Sequence, residues 1–208
     1  MFITLEGGEG TGKSTQAQLL KDYLVSEGYS VLLTREPGGT RLGEEIRRIL
    51  ITGSSDKMGA LSEALIYCAL RAEHWEKKIK PALEEGQIVI CDRFHDSCLV
   101  YQGICKGVST ELLNKLYIEI TQNRKPDRTY LLDLPPEIGI ERSLSHENSE
   151  TRFEKMDISF HKQVRQAFLD LANKEEQRFT VIDGKLPVEQ IQQIIKADLT
   201  NLLGHFSV

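Results

Sequence analysis

A run of glycines that ends in a lysine and a serine near the N-terminus constrains this chain more than any other feature. Residues 7–14, Gly-Gly-Glu-Gly-Thr-Gly-Lys-Ser, have the spacing G-x-x-x-x-G-K-[ST]. The glycines allow backbone N–H groups to turn towards anionic oxygens, the lysine adds a mobile cation, and the serine hydroxyl can bind Mg²⁺. Phe2–Leu5 before the loop is typical of a buried strand, and Lys13–Glu27 after it has the apolar spacing of a helix that stops at Gly28. The sequence therefore predicts the strand, phosphate-binding loop and helix that together bind a nucleoside triphosphate.

Further apolar runs predict strands at residues 31–33, 88–91, 130–132 and 179–182. Segments with helical spacing lie between them, and Pro81 is expected to kink or divide the helical region that begins at Leu61. Continuous apolar strands separated by helices predict a parallel sheet that is covered on both faces. The expected fold is a three-layer α/β P-loop NTPase fold with a five-stranded parallel sheet, in a single domain over residues 1–208.

Composition limits the function classes. The 208 residues carry a formal net charge of −5, which argues against binding a nucleic-acid polymer. No apolar run approaches the roughly 20 residues needed to cross a bilayer, and the chain enters its first strand without a secretory signal. The cysteines have neither C-x-x-C nor zinc spacing, so we expect reduced thiols in a cytoplasmic protein that does not act at a membrane.

One polar segment, Ser145–Thr151, breaks the alternation of strands and helices. A surface loop is the simplest interpretation. A mobile lid over about residues 142–155 is the alternative, because a phosphoryl-transfer enzyme must exclude water. Arg142 and Arg152 flank the segment, which favours the lid.

Charged and polar side chains form three clusters. Two come directly after predicted strands, where ligands of parallel sheets bind: Thr34-Arg35-Glu36-Pro37-Gly38-Gly39, followed by Arg47 on the next helix, and Asp92-Arg93-Phe94-His95-Asp96-Ser97, which runs on to Tyr101-Gln102-Gly103. The third, Tyr67 with Arg71, lies on the third helical region.

These runs, together with the loop over residues 6–15, resemble the bacterial thymidylate kinase (dTMP kinase) family over essentially the full length of the chain. The combination of Thr-Arg-Glu-Pro-Gly-Gly, Asp-Arg-x-x-x-Ser and Tyr-Gln-Gly is highly specific to that family. The resemblance implies phosphorylation of dTMP to dTDP with ATP and Mg²⁺, a step of dTTP synthesis, by a homodimer.

The resemblance also assigns roles on the donor side. The residues expected to bind ATP are Gly7, Gly8, Glu9, Gly10, Thr11, Gly12, Lys13, Ser14, Thr15 and Arg142. Ser14 and Asp92 would hold Mg²⁺, Asp92 through water. The loop has Gly10 and Thr11 where some relatives have an arginine, so the catalytic cation is expected from the lid, with Arg152 preferred over Arg142.

On the acceptor side, Arg47 and Arg93 would bind the monophosphate and Glu9 the 3′-hydroxyl of dTMP. Tyr67 would stack on thymine where the family usually has Phe, and Arg71 and Gln102 would bond the polar edge of the base. Ser97 and Tyr101 complete the expected substrate-binding set. Phe94 and Cys98 are further departures, at places where Tyr and Ser are common. The expected catalytic residues are Lys13, Arg93, Arg152, Glu9 and Asp92.

The expected mechanism is in-line transfer without a general base, because a phosphate monoester is already ionised near neutral pH. Another nucleoside monophosphate kinase, or a deoxynucleoside kinase, is the nearest alternative and would differ at Tyr67, Arg71 and Gln102. A GTP-dependent switch needs a motif such as N-K-x-D, and residues 123–127, Asn-Arg-Lys-Pro-Asp, do not supply it.

Overall fold

The computed structural model of the protein describes residues 1–54, 57–145 and 151–206. A five-stranded sheet has the strand order β2-β3-β1-β4-β5, and all neighbouring strands are parallel. The strands are β1 (Phe2–Glu6), β2 (Val31–Arg35), β3 (Ile88–Asp92), β4 (Arg128–Asp133) and β5 (Phe179–Asp183). The predicted strands and their parallel arrangement are confirmed.

Helices connect the strands. They are α1 (Lys13–Ser26), α2 (Arg41–Ile51), α3 (Ala60–His74), α4 (Lys80–Glu84), α5 (His95–Cys98), α6 (Thr110–Thr121), α7 (Pro136–Leu144), α8 (Thr151–Glu154), α9 (Ile158–Lys174) and α10 (Val188–Phe206), with π-helical segments at Trp75–Ile79 and Leu99–Cys105. No described helix is long and apolar enough to cross a membrane. Residues 146–150 of the predicted lid lie outside the described residues.

Both faces of the sheet are covered, as the continuous apolar strands predict. Successive side chains of a strand point to opposite faces, and β1 illustrates the result. Ile3 packs with Leu20 of α1 in a buried cluster that also includes α10. Its neighbour Phe2 packs on the other face with Trp75. Two apolar layers therefore enclose the sheet.

The helical region before β3 changes its hydrogen bonding instead of breaking at Pro81. The backbone N–H of Lys80 bonds the carbonyl of Trp75, five residues back. Pro81 then occupies the first turn of α4, where its missing N–H costs little. The expected division of this helix is therefore a π-helical segment, which begins six residues before Pro81. The helix then continues into α4.

The phosphate loop lies between β1 and α1 and packs directly on α7. Gly12 precedes α1 in a left-handed conformation with φ of 93°. A Cβ on Gly139 of α7 would lie 2.4 Å from the carbonyl oxygen of Glu9, and a Cβ on Gly10 would lie still closer to the carbonyl of Gly139. The approach of the two backbones therefore requires glycine on both sides.

We expect Gly139→Ala to destabilise the protein by about 1–3 kcal/mol, the usual cost of forcing a methyl group into a packed site. This loss should appear although alanine favours a helix over glycine by about 1 kcal/mol. Gly204→Ala in α10 is the matched control, because an added Cβ there meets no atom within 4 Å. The free energy of unfolding in urea measures both variants, and equal effects would contradict the close contact.

Candidate active site

The lysine of the phosphate loop is bonded to the loop itself. Lys13 is only 7% exposed, and its Nζ donates to the carbonyl oxygen of Gly8 at 2.6 Å and to Oγ1 of Thr11 at 3.3 Å. Burial, together with the nearby Arg93, lowers the pKa of Lys13 to about 8. An anion in the loop would relieve both effects, so the site favours a negatively charged ligand.

Ser14 and Asp92 meet at the mouth of the loop. The Ser14 hydroxyl donates to Oδ2 of Asp92 at 2.5 Å. A hydroxyl and a carboxylate are hard oxygen ligands that suit Mg²⁺, which usually takes one or two protein ligands and completes its shell with water and phosphate oxygens. Among the described residues no group of three or more His, Cys, Asp or Glu could hold a metal ion. The pair therefore fits a magnesium ion that is shared with a phosphate ligand.

Arg93 forms the centre of the side that is predicted to bind the acceptor. Its Nη1 donates to the carbonyl oxygen of Gly7 at 2.9 Å and to Oγ of Ser97 at 3.1 Å, and its Nη2 donates to both oxygens of Glu9 at 3.0 Å. The Tyr101 hydroxyl donates to the same carboxylate at 2.9 Å. Burial opposes ionisation of Glu9, yet Arg93 and Lys13 hold the pKa of Glu9 below its ordinary value.

The backbone of Arg93 has a left-handed conformation, and Glu6 bonds the residues that follow it. The φ of Arg93 is 66°, in the left-handed region that non-glycine residues seldom adopt. Glu6 accepts the backbone N–H of Phe94 at 2.8 Å and the hydroxyl of Ser97 at 2.6 Å. Burial and the nearby Asp96 raise the pKa of Glu6 to about 7. Sequence reasoning gave Glu6 no role, although a carboxylate that ends a buried strand was a usable signal.

A cavity opens beside this centre. All of the side chains predicted to bind the acceptor line it, namely Glu9, Arg47, Tyr67, Arg71, Arg93, Ser97, Tyr101 and Gln102. The structure therefore brings together residues from the phosphate loop, α2, α3, the turn after β3, α5 and the π-helical segment Leu99–Cys105.

Arg71 is held at this cavity by a carboxylate that the sequence reasoning did not single out. Its Nε donates to Glu36 at 2.9 Å, and its Nη2 donates to the carbonyl oxygen of Phe94 at 3.2 Å. Despite burial, Arg71 and His74 keep the pKa of Glu36 below its ordinary value. The Nη1 of Arg71 is buried and makes no hydrogen bond among the described residues. A donor that is held in place without a partner suits an acceptor atom on a ligand.

A second cleft adjoins the cavity on the side of the phosphate loop. It is lined by the loop residues Glu9 to Thr15, by Asp92, and by Arg142, whose Nη1 donates to the carbonyl oxygen of Gly184 at 3.1 Å. The side chains that line both the cavity and the cleft are Glu9, Glu36, Arg47, Arg93 and Glu154. The two spaces therefore meet where Arg47 and Arg93 lie.

Arg152 lies elsewhere. It is 1% exposed, and it donates to the backbone carbonyl of Leu50 at 2.8 Å and to the carboxylate of Glu63. Neither the cavity nor the cleft includes its side chain. In this conformation Arg152 links α8 to α2 and α3. The catalytic role expected for Arg152 stays a prediction.

Comparisons with known proteins agree with this arrangement. A sequence model of the family described as thymidylate kinase matches residues 5–195. A thymidylate kinase of Magnetococcus marinus is 48% identical over 194 residues, which are 93% of this chain and 92% of that protein. A thymidylate kinase of Chlamydia caviae is 42% identical over 204 residues, 97% of this chain and 98% of that protein. The crystal structure of a thymidylate kinase from Ehrlichia chaffeensis superposes with a TM-score of 0.78 at 36% identity, covering 96% of this chain and 98% of the other.

Proposed function

The chain belongs to the thymidylate kinase family and is a dTMP kinase, and we propose that it uses ATP with Mg²⁺ as the phosphoryl donor, in the synthesis of dTTP. The observation that carries this proposal is the meeting of two spaces at Arg47 and Arg93. The cleft with the phosphate loop takes the triphosphate, and the cavity with Tyr67 and Arg71 takes the monophosphate.

On the donor side, the backbone N–H groups of residues 7–15 and the Lys13 ammonium bind the triphosphate. The loop is followed by the N-terminus of α1, whose unpaired N–H groups and dipole favour an anion. Arg142 lines the same cleft beside the phosphates, on the side that we assign to the nucleoside of ATP. Ser14, and Asp92 through water, would hold Mg²⁺, which would supply positive charge that stabilises the phosphate groups when it is bound.

On the acceptor side, Arg47 and Arg93 bind the monophosphate, and Glu9 accepts the 3′-hydroxyl while it orients Arg93. Tyr67 stacks on the base, and Arg71 and Gln102 bond its polar edge. Ser97 and Tyr101 support this set through their bonds to Arg93 and Glu9.

No side chain has to remove a proton from the acceptor. The second pKa of a phosphate monoester is about 6, so the attacking oxygen is ionised near neutral pH. The task of the protein is then to align two phosphates that repel each other and to stabilise the charge that spreads over the transferred group. The cations Lys13 and Arg93 stand at the two sides of that position.

The proposed donor and acceptor are tested by measuring ADP release from ATP with and without dTMP, and with dUMP, dCMP, AMP and thymidine as alternatives. We expect turnover to depend on dTMP and on Mg²⁺. Lys13→Ala should fold normally and lose about 10²–10³ in kcat, the usual cost of removing one electrostatic contact to a transition state. Lys174→Ala, an exposed lysine on α9, is the control, and a Lys13→Ala enzyme that keeps a tenth of its turnover would contradict the assignment.

The catalytic cation of the lid is proposed to be Arg152, which must then leave Glu63 when both nucleotides bind. Gln102 and Lys106 also bond Glu63, so the carboxylate keeps partners during such a movement. Arg152→Ala should lower kcat by about 10³–10⁵, the range known for arginine fingers, with ATP affinity little changed. Arg142→Ala should act mainly on the KM for ATP.

The measurement is kcat for both variants with saturating substrates, with Arg152→Lys as a control that keeps the charge. A dead Arg142→Ala beside a nearly normal Arg152→Ala would reverse the two roles. Nearly normal turnover in both would show that the lid contributes no catalytic charge.

We propose further that the enzyme is a cytoplasmic homodimer. Free cysteine thiols, such as the buried Cys68 and Cys98, suit a reducing compartment. Neighbouring helices expose apolar side chains, among them Ile49 of α2, Leu61 and Leu65 of α3, and Ile118 of α6. Leu61 and Leu65 are four residues apart and so lie on one face of their helix. Exposed apolar side chains on one helix face suit a contact with another protein surface.

The molar mass from light scattering should be that of two chains, and Leu65→Glu should shift it towards one chain. Val25→Glu is the matched control, because Val25 is similarly exposed at 52% but lies on α1. A monomeric wild-type protein, or equal loss of mass in both variants, would contradict this interface.

A further inference from the structure

A carboxylate beside the proposed acceptor cavity touches neither nucleotide in the proposed mechanism. Glu63, in the first turn of α3, is fully buried. It accepts Nε2 of Gln102 at 2.8 Å, Nζ of Lys106 at 2.7 Å and the guanidinium of Arg152. A buried carboxylate is costly unless donors and cations surround it, and Glu63 has both.

The charge of Glu63 determines which end of the Gln102 amide it can bind. Burial alone would favour the neutral acid, but the bonds from Lys106 and Gln102 hold the pKa of Glu63 below its ordinary value. An ionised carboxylate only accepts hydrogen bonds, so it can face only the NH₂ end of an amide. The Oε1 of Gln102 is therefore directed away from Glu63. Gln102 itself is 2% exposed and lines the cavity.

The residues that line the cavity then supply both an acceptor and a donor. Oε1 of Gln102 is the acceptor, and the buried Nη1 of Arg71, which has no hydrogen-bond partner among the described residues, is the donor. Thymine carries an N3–H donor next to its O4 acceptor, which is the complementary pair. Cytosine carries an N3 acceptor next to an amino donor. The N3 acceptor would face the Gln102 acceptor, and the amino donor would face the Arg71 donor.

We propose that Glu63 is a positioning residue that selects thymine over cytosine by fixing the orientation of the Gln102 amide. It acts through Gln102 and does not touch the base. This inference rests on the proposed contact between Gln102 and the base. Without the charge of Glu63, the Gln102 amide can rotate and offer its NH₂ group to the N3 atom of cytosine, so discrimination falls.

Uracil distinguishes this role from general damage to the cavity. Its hydrogen-bonding edge is identical to that of thymine, and it lacks only the methyl group. A change in the orientation of Gln102 should therefore alter the ratio of kcat/KM for dTMP to that for dCMP, and leave the ratio for dTMP to dUMP as it was. A loosened cavity would alter both ratios.

The experiment measures kcat/KM for dTMP, dUMP and dCMP in Glu63→Gln, Gln102→Leu and the double variant. Glutamine at position 63 has nearly the shape of glutamate but can donate as well as accept. We expect the dTMP/dCMP ratio to fall about three- to tenfold in Glu63→Gln, the scale of one buried hydrogen bond. The dTMP/dUMP ratio and the KM for ATP should stay within twofold. Glu76→Gln, an exposed glutamate after α3, is the surface control.

The double-variant cycle separates the inference from the function on which it rests. If Glu63 acts through Gln102, Glu63→Gln should have no further effect on the dTMP/dCMP ratio once Gln102 is leucine. A lower ratio in Gln102→Leu beside an unchanged ratio in Glu63→Gln would overturn the inference and leave the base contact standing. An unchanged ratio in Gln102→Leu would overturn both.

Glu63→Gln leaves Lys106 and Arg152 without their carboxylate, which can destabilise the fold. If that variant does not fold, Glu63→Gln with Lys106→Met removes one charge of each sign, and the same ratios are measured in that background. Equal losses for dTMP, dUMP and dCMP in either protein would show that Glu63 only supports the fold, and would overturn the inference.

Discussion

A buried carboxylate joins the phosphate loop to the cavity that we propose for the acceptor. Glu6 is the last residue of β1, and it binds the backbone N–H of Phe94 and the hydroxyl of Ser97, which follow the neighbouring strand β3. These bonds hold the backbone of Arg93 in its left-handed conformation, directly beside the loop. Because Arg93 then bonds both Gly7 and Glu9, the geometry of the two halves of the site depends on this junction.

Two arginines of the proposed acceptor site are each held by a carboxylate. Arg93 is bonded to Glu9, and Arg71 is bonded to Glu36, in each case with the guanidinium largely or fully buried. Buried ion pairs add little to stability, because desolvation offsets much of their attraction. Their effect here is orientation: each carboxylate holds its guanidinium group in place, which would reduce the reorganisation needed in the proposed reaction.

The contacts of Arg152 in the structure differ from those that its place in the sequence suggests. Its position beside a polar segment predicted a mobile cation over the phosphates. In the structure it is paired with Glu63, 89 residues earlier in the chain, and the same carboxylate holds Gln102. Arg152 of α8 and Gln102, which lines the cavity beside Arg93, are therefore linked through one buried charge. Neither sequence neighbourhood contains a sign of this link.

The sequence by itself determined the strands, the parallel sheet, the phosphate loop and eight of the side chains that line the cavity beside Arg93. Those features follow from local spacing, apolar periodicity and a family resemblance. The roles of Glu6, Glu36 and Glu63 emerged only from the tertiary structure, because each carboxylate bonds donors that are at least 35 residues away. A charge has no periodicity that identifies its partner, and its environment exists only after the strands and helices have packed together.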